Sequence, residues 1–165
     1  ANVGNSLYSW GAQIRRNSSI SIFNSVIMGY PTGILIDDSK GAVTTNIDAD
    51  KLVIQNTIVA GCAKALDYSP AAPGWDATKV LDWFNTAGSG NSILTTNDEV
   101  KLTAPYNYTS PDFTPQTGSP LHSGASFTHA KLSSGFTQVN YRGAVGASGD
   151  DATWWKGWTK LNLTQ

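Results

Sequence analysis

Residues 19–29 read Ser-Ile-Ser-Ile-Phe-Asn-Ser-Val-Ile-Met-Gly, and residues 52–61 read Leu-Val-Ile-Gln-Asn-Thr-Ile-Val-Ala-Gly. The second stretch repeats the first at constant spacing. Leu52 follows Ile20, Ile54 follows Ile22, Asn56 follows Asn24, Thr57 follows Ser25, Ile58 follows Val26 and Gly61 follows Gly29, each by 32 positions (52 − 20 = 32). Apolar and polar residues alternate within each copy, as a half-buried strand requires. A β-rich text that returns at such a spacing marks stacked repeats.

Neither a hairpin turn nor a helical crossover joins the two copies. Same-direction strands one repeat apart therefore predict an all-β protein, a short right-handed parallel β-helix (a solenoid) with inward apolar residues in rows. Asn24 and Asn56 then fall at corners, where Asn tolerates the left-handed backbone, and their amides are expected to form a structural ladder. Outward from the repeats, Leu7–Trp10 and Ala12–Arg16 read as strands around a turn at Gly11, and Ile34–Ile36 as a strand after a Pro-Thr-Gly turn. Asp37–Gly41 reads as a loop and Ala42–Thr44 as a further strand. Asp76 to Phe84 predicts the one helix, with Asp76 as N-cap and Val80, Leu81 and Phe84 buried. Asn91–Leu94 matches Asn56–Val59 as a degenerate third copy. The reading is a single domain over 1–165. Coils span 1–66, an insertion with the short helix and degenerate coil spans 67–103, and an irregular wrap with an aromatic-rich C-terminal cap spans 104–165.

Composition narrows the class. Of 165 residues, 14% are charged and the net charge is −1, so no basic footprint for nucleic acid exists. No run of about 20 apolar residues occurs, which excludes a helical membrane span. The single cysteine, Cys62, permits no intrachain disulfide and reads as a small buried hydrophobe. The chain begins with Ala, as suits a processed or excised piece.

Candidate sites are few. His122 and His129 lack neighbours at metal-ligand spacing and read as surface residues. Asp37, Asp38, Asp48 and Asp50 are the best acidic pairs, for solvated turns or a weak Ca2+ site; no other cofactor is expected. No catalytic residues are assigned, because no pair of carboxylates or nucleophile with its base forms by spacing. Trp75, Trp155 and Trp158 are the candidate carbohydrate ligands, since exposed aromatic faces stack on sugar rings. Trp154, Trp155 and Trp158 equally suit a cap over an open apolar end. Asn17, Asn107 and Asn162 lie in N-x-S/T sequons.

Several passages resemble the C-terminal region of secreted, cell-surface right-handed parallel β-helix proteins of the Bacteroidetes type. These are Ile14–Asn17 with Phe23–Gly33, Pro111–Pro120 (Pro-x-Phe-x-Pro-x-x-Gly-Ser-Pro), Val139–Gly146 and Trp155–Thr159. Val145 departs from the pattern, where an aromatic is usual. The resemblance implies the fold, an extracellular or cell-surface location and membership of a longer protein, and it implies no reaction. The functional expectation is a non-enzymatic structural or adhesive protein. Its expected partners are itself, end to end, or upstream coils. The alternative is a carbohydrate-binding module or the tail of a polysaccharide-degrading enzyme, with glycans as partners.

Overall fold

Short β-branched runs, cut by Asn, Gly and Pro, form equally short strands. In the computed structural model, which describes residues 5–70 and 73–159, the first strands are β1 (Trp10–Arg15), β2 (Ile22–Phe23), β3 (Val26–Met28) and β4 (Thr32–Asp37). Helix α1 (Thr44–Asp48) follows, then β5 (Ile54–Gln55), β6 (Ile58–Ala60) and β7 (Lys64–Ser69). Helix α2 (Ala77–Phe84) and β8 (Ser92–Leu94) come next, and β9 (Leu102–Ala104), β10 (Asp112–Pro115) and α3 (Gly149–Thr153) complete the order. Two compact units meet in sequence between Asn97 and Asp98.

The 32-residue repeat is a physical register. Ile22 pairs with Ile54 and Val26 with Ile58, both in parallel. Ile34 pairs with Leu66 at the same offset. Ile34, Ile54 and Leu66 of these rows meet in one core of the first unit with Ile14, Ile36 and Val59 from the strands and Val43, Ile47, Leu52, Val80 and Phe84 from outside them. Burying a side chain of this size is worth about 1.5–3 kcal/mol.

The all-β right-handed β-helix is nonetheless overturned. The parallel strands form separate small sheets, β1–β4–β7, β2–β5 and β3–β6–β8; β9 and β10 pair antiparallel; and the described residues include three α-helices. Among the described residues no sheet closes or coils on itself. The reasons are local. Asn24 and Asn56 stand at φ 51° and 54°, which separates β2 from β3 and β5 from β6 after two residues. The connections that a coil would fill with strand fold as helix instead, so Ala42–Thr44 leads into α1 rather than forming a strand. Gly11 lies inside β1 and makes no turn.

The helix expected after Asp76 is present as α2. The Asp76 carboxylate accepts the Lys79 N–H at 2.7 Å, and Val80 and Phe84 are buried, whereas Leu81 is exposed. The third copy pairs one residue out of the expected register. Ser92 lies against Ile58, an offset of 34 (92 − 58 = 34), so Gly90 rather than Asn91 follows Asn56. Asn91 instead clamps the layer: its Oδ1 accepts the Thr57 N–H at 2.9 Å, and its Nδ2 donates to the carbonyls of Ile54 and Phe84.

In the second unit, the stretch expected as an irregular wrap from 104 onward holds β10, which pairs with β9 at the end of the expected insertion. Three 3-10 turns begin at Asp98, Pro120 and Ala130. The Ser119 hydroxyl, donating to the Val100 carbonyl at 2.6 Å, ties the first two together. Val100, Leu121, Leu132, Val145 and Ala152 are buried in this unit.

Candidate functional site

Asp37 and Asp38 close β4 and are both buried. Their carboxyls face different partners. Asp37 accepts the Ser39 N–H at 3.0 Å, the Ser39 hydroxyl at 2.5 Å and the Gln13 amide at 2.7 Å, with the Arg15 guanidinium 3.3 Å away. Burial alone would raise its pKa; the Ser39 and Gln13 hydrogen bonds and the Arg15 charge outweigh it and hold the carboxyl below the ordinary 3.8. Asp38 accepts the N–H of Val43 at 2.5 Å and of Thr44 at 3.2 Å, and the hydroxyls of Thr44 and Tyr68 at 2.5 and 3.2 Å. It serves as the cap of α1, whose own N-cap residue, Val43, makes no side-chain bond.

Asp48 sits at the C-terminal end of α1, where its Oδ2 accepts the indole N–H of Trp75 at 3.2 Å. Asp50 is exposed at φ 53°. Among the described residues, no three His, Cys, Asp or Glu side chains gather as a metal-holding group. Trp75 packs on the core of the first unit, and the Lys79 ammonium lies 4.4 Å from its ring centroid. The Cys62 thiol is pushed up by burial and donates to the Ala60 carbonyl at 3.4 Å. His122 Nε2 lies 2.8 Å from the Gln116 carbonyl, and His129 Nδ1 accepts the Lys131 N–H at 3.1 Å.

The two copies of the repeat differ in one respect that matters at a surface. Leu52 is 0% exposed, while Ile20, one repeat earlier, is 65% exposed. Ile58, Val59 and Ala60 are fully buried, yet Val26, Ile27 and Met28, their register partners, are only half-buried. Leu7 and Trp10, which precede this layer in the chain, are exposed as well. At the opposite end, α2 packs against β7, and the segment 89–91 covers β5, with the Asn56 N–H donating to the Ser89 carbonyl at 2.8 Å.

The second unit carries an aromatic surface that sequence reading divided differently. Trp155 is half-buried, with Phe113 edge-on at 5.8 Å and the Lys156 ammonium 5.7 Å from its ring. Its indole N–H is shut off from solvent without a hydrogen-bond partner. Trp158 is 69% exposed and Trp154 is 49% exposed, their ring centroids 5.5 Å apart and their planes tilted by 38°. Trp154 was not among the carbohydrate candidates. Its spacing of four residues from Trp158, which brings two side chains together on a helical turn, was the available signal. No protein-family model, curated protein or solved structure matches the chain.

Proposed function

We propose that the chain is a non-catalytic structural and adhesive module that joins a second copy of itself through the first layer of its repeat. The contrast between Ile20 and Leu52 carries this reading. Equivalent positions of one repeat are covered in the second layer and open in the first. A strand edge flanked by exposed Ile, Leu and Trp is a template for another strand. At the other end α2 packs on β7 and the segment 89–91 covers β5, while β8 is the outer strand of its sheet. The first layer and the chain just before it carry the larger exposed apolar side chains, Ile20, Leu7 and Trp10, so the proposed pairing joins first layer to first layer. Such an isologous contact closes as a dimer. This departs from the end-to-end association expected from the sequence. The buried acids support a structural part for Asp37 and Asp38, whose oxygens are used within the fold.

Light scattering across a concentration series tests it. The expected result is a mass that rises from monomer and levels at dimer, and a monomer throughout for Ile20→Lys. A wild-type chain that stays monomeric at the highest soluble concentration overturns the reading. So does growth past the dimer.

A further inference from the structure

The second unit offers a site of a different kind. Two of its tryptophans are exposed, adjacent and mutually tilted. Their N–H groups are already engaged: Trp154 Nε1 donates to the Ala144 carbonyl at 2.7 Å, and Trp158 Nε1 donates to the Trp154 carbonyl at 2.8 Å. These bonds fix how the rings are presented and leave the π faces as the part offered to a ligand. An aromatic face carries partial negative charge. It attracts a partner whose C–H bonds are polarised by neighbouring oxygens.

The surroundings select among such partners. Asp150, Asp151, Thr153 and Lys156 neighbour the pair in sequence and are exposed. They supply nearby polar groups, suited to hydroxyls. Among the described residues of this stretch, two carboxylates stand against one ammonium, a balance that disfavours a phosphate backbone or an anionic lipid surface, which need a basic lining. A pyranose combines an apolar C–H face with a ring of hydroxyls and no charge. The 38° tilt adds a further restriction. Two planes so inclined do not lie flush on one flat crystalline face. They suit a chain that twists from one sugar to the next.

We infer that Trp154 and Trp158 form a platform for a neutral, single-chain glycan, each ring stacking on one sugar unit. This site does not depend on the dimer proposed above. The test uses the full chain and native gels cast with hydroxyethylcellulose, arabinoxylan, galactomannan, laminarin or pullulan. In parallel, the protein is sedimented with microcrystalline cellulose and with phosphatidylserine vesicles. At least one soluble polysaccharide is expected to retard the protein. Trp158→Ala should weaken that binding about tenfold, the size of one stacking contact, and Trp158→Phe should restore part of it. Circular dichroism checks folding, which the exposure of Trp158 favours. Lack of retardation by all five polysaccharides, or retardation unchanged in Trp158→Ala, overturns the proposal. Binding confined to the crystalline powder overturns the single-chain ligand. Binding confined to the vesicles and lost in Trp158→Ala makes the platform a lipid contact instead.

Discussion

Adjacent residues of the same type have separate tasks at the end of β4. Asp38 points at the start of α1 and replaces a missing cap, accepting from two N–H groups and two hydroxyls. Asp37 points at the strand edge and gathers Ser39, Gln13 and Arg15. The consequence for acid stability follows from linkage. Folding holds the Asp37 carboxyl below 3.8, so the folded state favours its ionised form. Its contribution is fully present above that value and is lost as the pH falls through 3.8 and on through the folded-state value. Asp112 behaves likewise in the second unit, where the hydroxyl and N–H of Thr114 lower its carboxyl. Urea midpoints measured from about pH 6 to about pH 2.5 should therefore decline below about pH 4. Asp37→Asn should be less stable at neutral pH and show a shallower decline. Parallel curves for the variant and the parent would show that Asp37 is not a source of the acid sensitivity.

At the scale of elements, one column of left-handed residues sets where strands stop. Asn24, Asn56 and Gly90 succeed one another in the parallel register, at φ 51°, 54° and 68°. Asn tolerates this backbone where its side chain has room. At the third level it has none: a Cβ on Gly90 would run into the Asn56 amide. Gly90→Ala should thus cost the left-handed strain of about 1–2 kcal/mol and a clash besides. Asn56→Gly removes the obstacle, so the double variant should be more stable than the sum of the singles by about 1 kcal/mol. Additive effects in chemical denaturation would mean that the two positions do not touch. Part of this was legible in the sequence, since similar text at constant spacing gives the pairing of Ile22 with Ile54 directly. The register of β8 was not, because the segment carrying α2 shifts it by two residues (34 − 32 = 2). Helix α1 was hidden by its brevity and by a cap, Asp38, that lies six positions before Thr44. The repeat dictates which strands pair but not whether successive sheets coil around a common axis, and the solenoid expectation failed at that step. Of the aromatic surface, Trp158 could be named in advance. Trp154 needed the local helical turn to bring it alongside.

At the scale of the whole molecule, the two units have unequal interiors. Residues up to Asn97 share an eleven-member apolar cluster that includes Phe84, Ile34, Ile36 and Leu52. Residues from Asp98 onward bury Val100, Leu121, Leu132, Val145 and Ala152 among irregular segments and 3-10 turns. Less buried apolar surface means less stabilisation per residue, and loop-rich segments open at lower free energy than packed strands. Native-state hydrogen exchange should separate the two. In the first unit the Ile58 N–H donates to the Ser25 carbonyl at 2.8 Å and the Lys64 N–H to Pro31 at 2.9 Å. In the second, the Gln116 N–H donates to Lys101 and the Arg142 N–H to Leu121, both at 2.8 Å. The bonds are alike in length, so differences in protection report the opening of the unit around them. Ile58 and Lys64 should exchange more slowly than Gln116 and Arg142. Phe84→Ala leaves a cavity in the larger core, at a cost of about 3–5 kcal/mol. It should abolish the advantage of Ile58 and Lys64 while leaving Gln116 and Arg142 as they were. If protection falls equally at all four amides, the chain opens as one cooperative body, and the difference in core size does not divide its stability.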